Sequence, residues 1–583
     1  MQISFKNGQI IADGYLHEDV PYDVSANQLS VCFDGKGGLS KYVSIRTGKE
    51  YSTRSMTSFY KDGHRIGAYT KKRTSMAGRM QEICLTDDGC RIVMTQFITK
   101  DSDAVFVDMR FYADSQSEFT LLYGTGTSWV VPAFACDKPW QFMDENYCFK
   151  IPVAVCGEAR LRFVVQYEGG ASRCEKLLAD FDAHLNEAKS EIDAVVFPDA
   201  VKTEEEKALY LSALFCCIEN YKQYGDWEGF VAGCHYLEPL RTYYRDSYWT
   251  VLPIYAYDVS LVKKQIVSLA KGISSCGSCP SAVKTDFSGF WGGHYDSPCF
   301  FVMMVYDYVN QTGETAFLQE QIGQKNVFEL CELALKKQFE RTDDTGLLYK
   351  AGPFNKLDWA DEVNRNGYVT YDEALFYRAV HCMEGLCRAV GKDDAFYREK
   401  AEQIKTAINE ILWDEDKGYY VNYVDGDFVE DNLSVDTVLT YLFGIADETR
   451  ARRMLDAMEQ LLETKNNSLQ KAGDYGIMCV YPFYKNMDSA YFKSSQDYEY
   501  HNGANWPYWS AVYAYAKYLA GRDYRYALES WFFYNAERGV FTPIEYFSPC
   551  REGGSTLQAW SGMSAFVYDW IGKVSFFSPR TLK

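Results

Sequence analysis

Several common signatures are missing from this sequence, and each absence removes a class of function. No run of about 18 uninterrupted apolar residues occurs, so we expect no membrane span. The chain begins Met1-Gln2-Ile3-Ser4-Phe5-Lys6, without a basic segment followed by an apolar one, so we expect no signal peptide. Lys and Arg total 60 against 80 Asp and Glu, and the net charge of −20 argues against nucleic acid or a membrane surface as partner.

Metal and nucleotide signatures are missing as well. The 7 histidines are far apart and form no HExxH pattern, and Cys276-Gly277-Ser278-Cys279 has no second pair at ligand spacing. No GxGxxG or Walker loop accompanies a strand–helix unit. We therefore expect neither a metal nor an organic cofactor. The 18 cysteines follow no disulfide framework, which favours free thiols in a reducing cytoplasm.

The sequence is long and rich in aromatic residues. Its 583 residues are too many for one ordinary core and predict two or more domains. Aromatic residues make up 16% of the chain, with 46 Tyr, 36 Phe and 12 Trp. Rings stack on the apolar faces of sugars, but they also fill helical cores, and for any single ring the core interpretation is favoured.

Residues 1–195 have the pattern of strands. Short β-rich runs at 29–33, 91–98 and 104–111 are separated by turn signals such as Asp34-Gly35. This spacing predicts an antiparallel β-sandwich domain. A helical segment near 175–194, followed by Phe197-Pro198, is predicted to be a linker.

Beyond residue 203 the hydrophobic period changes from two to 3.6. The pattern predicts a second domain over 203–583, formed by a closed ring of helical hairpins whose long loops at one end carry the chemistry. The predicted helices are 203–222, 246–258, 260–271, 297–312, 326–340, 370–391, 394–412, 435–444, 447–463, 506–520, 524–534 and 556–572.

Two distant segments each place a carboxylate beside large rings, Trp359-Ala360-Asp361-Glu362 and Ile544-Glu545-Tyr546-Phe547. Rings solvate a carboxylate poorly, so its pKa rises, while a second carboxylate nearby can stay ionised. Such a pair can protonate a leaving oxygen and deprotonate an attacking water, as glycoside hydrolysis requires. Asp358 and Glu362 compete with Asp361 for the first position, and Glu552 competes with Glu545 for the second.

Five motifs in a fixed order resemble those of glucoamylases and of the glucosidase part of glycogen-debranching enzymes. They are Thr242-Tyr243-Tyr244-Arg245-Asp246-Ser247, Asp361-Glu362-Val363-Asn364, His501-Asn502-Gly503-Ala504-Asn505-Trp506-Pro507, Ile544-Glu545-Tyr546-Phe547 and Gln558-Ala559-Trp560-Ser561. The resemblance spans about 203–575. It implies an (α/α)6 toroid preceded by a β-sandwich domain, with Asp361 as general acid and Glu545 as general base.

The sequence departs from the family pattern in loops that shape the sugar pocket. Trp359-Ala360-Asp361 stands where debranching enzymes usually have Trp-Met-Asp, and the acid is Asp where glucoamylases have Glu. The Gly-Asp-x-Pro-His segment common after the base is replaced by 548–554. The resemblance therefore implies the family more firmly than the substrate.

Candidate substrate-binding residues come from the same motifs, and most have a second interpretation. Arg245 and Asp246, beside Tyr244, predict either a clamp on vicinal hydroxyls or a surface ion pair. Asp296 either caps the helix that follows it or forms part of the pocket wall. The remaining candidates are Trp359, Glu362, His501, Asn502, Trp506, which starts a helix with Pro507 in its first turn, and Trp560, for which packing is preferred over sugar stacking.

We interpret the sequence as an exo-acting, inverting glycoside hydrolase that removes a terminal α-linked glucose from an oligosaccharide or glycoside. The same mechanism on another sugar, such as rhamnose or galactose, stays open. A glycoside phosphorylase is a further alternative; Glu545 would repel phosphate there, whereas Arg551 could attract it. A non-catalytic carbohydrate-binding protein would need the aromatics and the clamp but not two opposed carboxylates. The oligomeric state is not predicted.

Overall fold

A computed structural model describes residues 1–52, 57–124, 131–143, 146–351, 358–484, 492–551 and 553–578. The chain forms two compact units. The first contains Met1–Lys222, Gly233–Leu240 and Phe532–Pro543, and the second contains Gln223–Ala232, Arg241–Trp531 and Ile544–Lys583. The domain boundaries at 195 and 203 stay predictions.

The first unit is built on antiparallel strands that form sheets of eight, five and four strands. Their orders are β1-β2-β9-β10-β11-β12-β17-β14, β15-β16-β13-β7-β8 and β3-β4-β5-β6. The strands are β1 (Gln2–Lys6), β2 (Gln9–Tyr15), β3 (Tyr22–Ser25), β4 (Leu29–Phe33), β5 (Leu39–Ser44), β6 (Glu50–Ser52), β7 (Ser58–Lys61), β8 (His64–Arg65), β9 (Lys71–Ala77), β10 (Met80–Asp87), β11 (Cys90–Phe97), β12 (Val105–Ala113), β13 (Ser117–Gly124), β14 (Ala133–Cys136), β15 (Gln141–Met143), β16 (Asn146–Val153) and β17 (Gly157–Gln166).

Aromatic rings join the two larger sheets face to face. Phe111 of β12 lies 5.3 Å from Phe119 of β13, and Phe163 of β17 lies 4.8 Å from Tyr123 of β13 (ring centroids). Phe149 of β16 adds a stacked contact with Phe163 at 5.7 Å. Alternate residues of β13 are buried, which is the period of a strand with one face on a core. The predicted β-sandwich is confirmed.

Two helices, α1 (Ala171–Ala179) and α2 (Phe181–Asp193), cover the other face of the eight-stranded sheet. Phe181 packs edge-on against Phe97 of β11 and Phe106 of β12, at 5.6 and 5.7 Å. Leu185 and Ala188 of α2 are buried in the same cluster. The segment predicted as a linker helix is thus a pair of helices packed on the sheet.

Beyond residue 203 the chain is mainly helical, and the helices lie close to their predicted positions. Most predicted helices occur within a few residues of their expected bounds. Two begin later because a 3-10 turn precedes them, at Val435–Val438 and Ala559–Gly562. The helices are α3 (Glu204–Glu219), α4 (Tyr244–Tyr257), α5 (Val259–Lys271), α6 (Ser297–Thr312), α7 (Val327–Phe339), α8 (Thr370–Ala389), α9 (Ala395–Ile411), α10 (Leu439–Leu442), α11 (Glu448–Leu461), α12 (Pro507–Leu519), α13 (Arg525–Glu537) and α14 (Met563–Trp570).

An inner ring of helices closes on itself in the second unit. In order of contact it runs α4, α6, α8, the 435–442 segment, α12 and α14, and α14 returns to α4. All 8 residues of α14 are buried, as expected of a helix surrounded by others. By contrast α9 buries only one face, through Ala401, Ile404, Ala407 and Ile408. This arrangement is the (α/α)6 toroid.

The direction of the inner helices positions the candidate site. Within the described residues, every inner helix except α14 is followed by an outer helix that runs back, so the inner helices begin at the same end of the ring. The loops that precede them therefore converge there. Among the described helices, none is both long enough and apolar enough to cross a membrane.

Candidate active site

The predicted functional residues gather at the starts of the inner helices. Arg245 and Asp246 lie in the first turn of α4, and Asp296 immediately precedes α6. The loop ahead of α8 carries Trp359, Asp361 and Glu362, the loop ahead of α12 carries His501, Asn502 and Trp506, and Glu545 and Trp560 precede α14. Among the candidate acids, Glu552 lies outside the described residues.

Asp358 is held by buried cations and so is a poor candidate for the general acid. Its Oδ1 accepts from Arg365 Nη2 at 2.7 Å and from the backbone of Ala360 at 2.8 Å, and its Oδ2 accepts from Lys350 Nζ. Burial raises the pKa of Asp358, but the charges of Arg365 and Lys350 outweigh burial and hold that pKa far below its ordinary value. Such a carboxylate keeps no proton to donate.

The same cluster fixes Trp359 in the loop that carries Asp361. Trp359 Nε1 donates to Asp436 Oδ2 at 2.6 Å, and Arg365 Nη1 donates to the same oxygen at 2.8 Å. Trp359 is buried and Asp436 is completely so. Two residues beyond this anchor, the Asp361 side chain is 38% exposed and stays accessible to a ligand.

Asp361 faces the imidazole of His501. Asp361 Oδ1 lies 3.8 Å from His501 Nε2, and His501 Nδ1 lies 3.4 Å from Ser494 Oγ. The imidazole also stacks on Trp506, with ring centroids 5.0 Å apart and planes within 9°. Packing against Trp506 therefore fixes the imidazole edge that points to Asp361. His501 is thus placed beside the candidate acid.

Glu545 lies on a loop that is closed by backbone pairing. Its N–H donates to the Ser555 carbonyl at 2.8 Å, and Gly554 N–H donates to the Tyr546 carbonyl at 2.8 Å. A Cβ on Gly554 would lie 2.6 Å from Glu545 Oε2, so glycine is required for this close approach. The loop geometry thus fixes where the carboxyl group points.

Glu545 is partly accessible, yet protein encloses it on most sides. Burial, together with the negative charges of Asp361 and Asp246, raises the pKa of Glu545 to about 7, against the opposing charge of Lys493. Those charges act on Glu545 because Asp361, Asp246 and Lys493 lie near it. A glutamate with this pKa can take up or release a proton near neutral pH.

Arg245 is paired with Asp296 and not with Asp246. Arg245 Nε donates to Asp296 Oδ2 at 2.6 Å, its Nη2 donates to His294 Nδ1 at 2.9 Å, and Tyr371 Oη donates to Asp296 Oδ2 at 3.0 Å. Burial and Arg245 lower the pKa of His294 to about 4, so its ring is neutral, and its Nδ1 accepts because a guanidinium can only donate. The Arg245 side chain is only 11% exposed, which rules out the surface ion pair.

The structure also places Asp296 and Asp246, the other two acidic residues predicted near the start of α4. Asp296 occupies the N-cap position of α6, as one interpretation predicted, but within the described residues its side chain makes no capping hydrogen bond to that helix. Asp246 is buried, and burial raises its pKa to about 6. Arg245, Asp246 and Asp296 together form a polar wall at the start of α4.

Large rings line the walls between these groups. Trp506 stacks on Tyr546 at 5.4 Å and receives the edge of Trp359 at 5.5 Å. Trp560 stacks on Tyr508 at 4.4 Å and is 5% exposed, as the packing interpretation requires. These ring contacts connect the loops that precede α8, α12 and α14.

A match to a known family follows the same part of the chain. The sequence model of the family described as amylo-alpha-1,6-glucosidase matches residues 232–565, more than half of the 583 residues. The chain belongs to this family. The match includes every predicted site residue, from Tyr244 to Trp560.

Curated relatives of this family member match over shorter stretches. The N,N'-diacetylchitobiose phosphorylase of Vibrio proteolyticus is 26% identical over 184 residues, which cover 29% of this chain and 22% of the relative. The solabiose phosphorylase of Paenibacillus borealis is 27% identical over 201 residues, covering 31% of this chain and 26% of the relative. The aligned parts thus span about a quarter of each relative's length.

Solved structures resemble this family member over nearly its whole length. A bacterial glucoamylase complexed with acarbose has a TM-score of 0.58 and 12% identity, with 98% of each chain covered. A putative kojibiose phosphorylase from the human microbiome has a TM-score of 0.53 and 9% identity, with 98% of this chain and 89% of that chain covered. At these identities the likeness concerns the fold alone, and the predicted toroid is confirmed.

Several predicted substrate ligands have their polar atoms engaged inside the fold. Tyr244 Oη donates to the Leu269 carbonyl at 2.7 Å, and Asn502 Oδ1 accepts from the Tyr484 backbone at 3.1 Å. Trp506 Nε1 donates to the Tyr500 carbonyl at 3.0 Å. Their roles toward a substrate stay predictions, as do those of the catalytic pair.

Sequence reasoning missed Lys493, His294, Tyr371 and Asp436. His294 stands two positions before Asp296, and this proximity was an available signal. Lys493 carried no such signal, because nothing in the surrounding sequence marks it. It nevertheless contacts Tyr546, the neighbour of Glu545, at 3.0 Å.

Proposed function

We propose that this protein is an inverting glycoside hydrolase that releases a terminal sugar from an oligosaccharide or glycoside. Asp361 is the general acid and Glu545 the general base. The observation that carries the proposal is the enclosed Glu545, whose pKa is raised to about 7 by burial and by nearby charges that include the accessible Asp361. Family membership supports it, because the family is described by a glucosidase activity.

The reaction divides into two proton transfers around one bond change. Asp361 gives its proton to the glycosidic oxygen as the bond from the anomeric carbon to that oxygen breaks. Water attacks the anomeric carbon from the opposite face, and Glu545 takes the proton of that water, so the anomeric configuration inverts. Each transfer contributes roughly 10²–10⁴ in rate. Room for the water requires about 6.5–9.5 Å between the carboxyl groups.

The polar wall of Arg245, Asp246 and Asp296 would hold hydroxyl groups of the terminal sugar. Arg245 is fixed by Asp296 and His294, so it presents the remaining guanidinium hydrogens in a set direction. Asp246 supplies acceptor oxygens beside it. We propose glucose in α-linkage as the sugar; rhamnose and galactose are the alternatives.

A glycoside phosphorylase is a second candidate. It is favoured by the names of the curated relatives, which are phosphorylases, and by the cation Lys493 near Glu545. Phosphate would then replace water as the nucleophile, and no general base would be needed. A non-catalytic sugar-binding protein has less support, because it has no need of two carboxyl groups in one pocket.

The deciding experiment compares aryl glycosides and disaccharides of glucose, galactose and rhamnose, in both anomers, with and without inorganic phosphate. NMR of the first product distinguishes free sugar from sugar 1-phosphate and reports its anomeric configuration. Free sugar of inverted configuration, lost in Asp361→Asn and Glu545→Gln, supports the hydrolase. Turnover only with phosphate, retained in Glu545→Gln, selects the phosphorylase. Binding without turnover of any substrate would leave only the binding protein.

A further inference from the structure

The short 3-10 helix Phe492–Ser495 touches both predicted catalytic loops. On one side, Glu362 Oε2 accepts hydrogen bonds from the backbone N–H groups of Lys493 and Ser494, at 3.1 and 3.4 Å. Glu362 directly follows Asp361 in the sequence. The backbone of this turn therefore holds the loop of the candidate acid.

On the other side, the same turn reaches the loop of the candidate base. Lys493 Nζ donates to Tyr546 Oη at 3.0 Å and lies 5.3 Å from the centre of the Tyr546 ring. Tyr546 directly follows Glu545. Lys493 also lies over the ring of Tyr500, 5.4 Å from its centre, and Tyr500 packs edge-on against Tyr546 at 4.7 Å.

We propose that Lys493 is a positioning residue that joins the Asp361 loop to the Glu545 loop and keeps the Glu545 carboxyl in its working protonation state. This inference rests on the proposed function and deepens it. Both loops are irregular, so the spacing between their carboxyl groups needs a fixed connection, and the 492–495 turn supplies one from backbone and side chain together.

The charges around Glu545 give this role a measurable consequence. Asp361 and Asp246 oppose ionisation of Glu545, and Lys493 favours it. Lys493 in turn faces Tyr546, Glu545 and Glu362. The neighbouring Glu499 faces Tyr546 and is itself 3.6 Å from Arg551. Lys493 is a cation among the groups that shift the pKa of Glu545, so its removal raises that pKa.

The test uses Lys493→Met, which keeps the apolar stem and removes the charge, with Lys493→Arg as the rescue. The matched control is Lys465→Met, because Lys465 also places its Nζ over a tyrosine ring, that of Tyr526, at 3.9 Å. We expect Lys493→Met to raise the pKa of Glu545, as loss of a nearby opposite charge does. Lys493→Arg should largely restore it, and Lys465→Met should leave it unchanged.

Two readouts separate this inference from the proposed function. The first readout is a 13C NMR titration of labelled glutamate carboxyl groups, and this measurement does not require an active enzyme. The Glu545 signal is assigned by its absence in Glu545→Gln.

The second readout is the pH profile of kcat/KM. Its acidic limb should move to higher pH by the same amount, and KM at the optimum should change little. An unshifted Glu545 titration in folded Lys493→Met overturns the inference, whatever the enzyme's activity. Absence of turnover in the wild type, with the titration shifted, overturns only the proposed function.

Discussion

Arg245 Nε donates to Asp296 Oδ2 at 2.6 Å, although Asp246 is its neighbour in the sequence. Adjacent residues on a helix point in different directions, so Arg245 and Asp246 in the first turn of α4 do not face each other. The partner comes instead from the residue before α6. The Arg245–Asp296 pair therefore links the start of α4 to the start of α6, which are neighbouring inner helices.

Asp296→Asn is expected to destabilise the protein, because Arg245 would remain buried without its partner. Removing one member of a buried ion pair costs about 3–5 kcal/mol. Asp246→Asn should cost far less at pH 8, since burial already disfavours the ionised form of Asp246, whose pKa is about 6. Urea unfolding midpoints of the two variants check this difference. Equal losses would mean that the Arg245–Asp296 pair contributes no more than Asp246 does.

Asp361→Asn should lower kcat sharply on natural glycosides while substrate binding persists. Substrates with good leaving groups need little protonation, so aryl glycosides with acidic phenols should lose much less rate. A series of aryl glycosides with phenols of graded pKa measures this dependence. The control is Asp358→Asn, which should act through stability, because Asp358 holds Lys350 and Arg365.

If Asp361→Asn lost the same factor on every leaving group, Asp361 would not be the acid. Glu362 would then be tested next. Its Oε2 is held by backbone N–H groups of Lys493 and Ser494, so Glu362→Gln also reports on that contact.

Local pattern predicted much of this fold. The change of period near residue 203 gave helices such as α6 (Ser297–Thr312) at the expected bounds, because their burial follows directly from hydrophobic spacing. The motifs also brought Asp361, His501 and Glu545 to one end of the toroid. Hydrophobic spacing and short motifs can be recognised within a single segment of sequence, without knowledge of its partners in the fold.

Long-range pairings could not be predicted in the same way. The partner of Arg245 lies 51 positions away, and Asp436 reaches Trp359 over 77 positions. Lys493 meets Tyr546 over 53 positions from a segment without a recognisable pattern. Such contacts depend on where the loops lie in the folded protein, and the pattern of a single sequence does not predict those positions.

Gly554→Ala is expected to impair catalysis without unfolding the protein. The new Cβ would lie 2.6 Å from Glu545 Oε2 and 2.7 Å from the Tyr546 ring, so the carboxyl group must move. A displaced base loses kcat more than it raises KM, because positioning acts on the reacting atoms. The control is Gly292→Ala, where nothing lies within 4 Å of the added Cβ. Equal kcat values in Gly554→Ala and wild type would argue against the observed position of Glu545.

The last prediction concerns the pH dependence that Glu545 imposes. A general base must be ionised, and burial raises the pKa of Glu545 from 4.5 to about 7. The value of kcat/KM should therefore fall as pH drops through about 7, and not near 4.5 as for an ordinary glutamate.

The same shift has the opposite effect on stability. Between pH 4.5 and about 7 the carboxyl group of Glu545 ionises in the unfolded chain before it ionises in the folded protein. Its contribution to stability, present at low pH, is therefore lost as pH rises.

Glu545→Gln should remove the acidic limb of kcat/KM and this pH dependence of stability, and it should abolish hydrolysis. Azide in place of water should restore part of the turnover and give an inverted glycosyl azide. A retained anomer in the first wild-type product would instead make Glu545 a nucleophile. An acidic limb at pH 4.5 would mean that another group is the base, because burial and the neighbouring carboxylates raise the pKa of Glu545 to about 7.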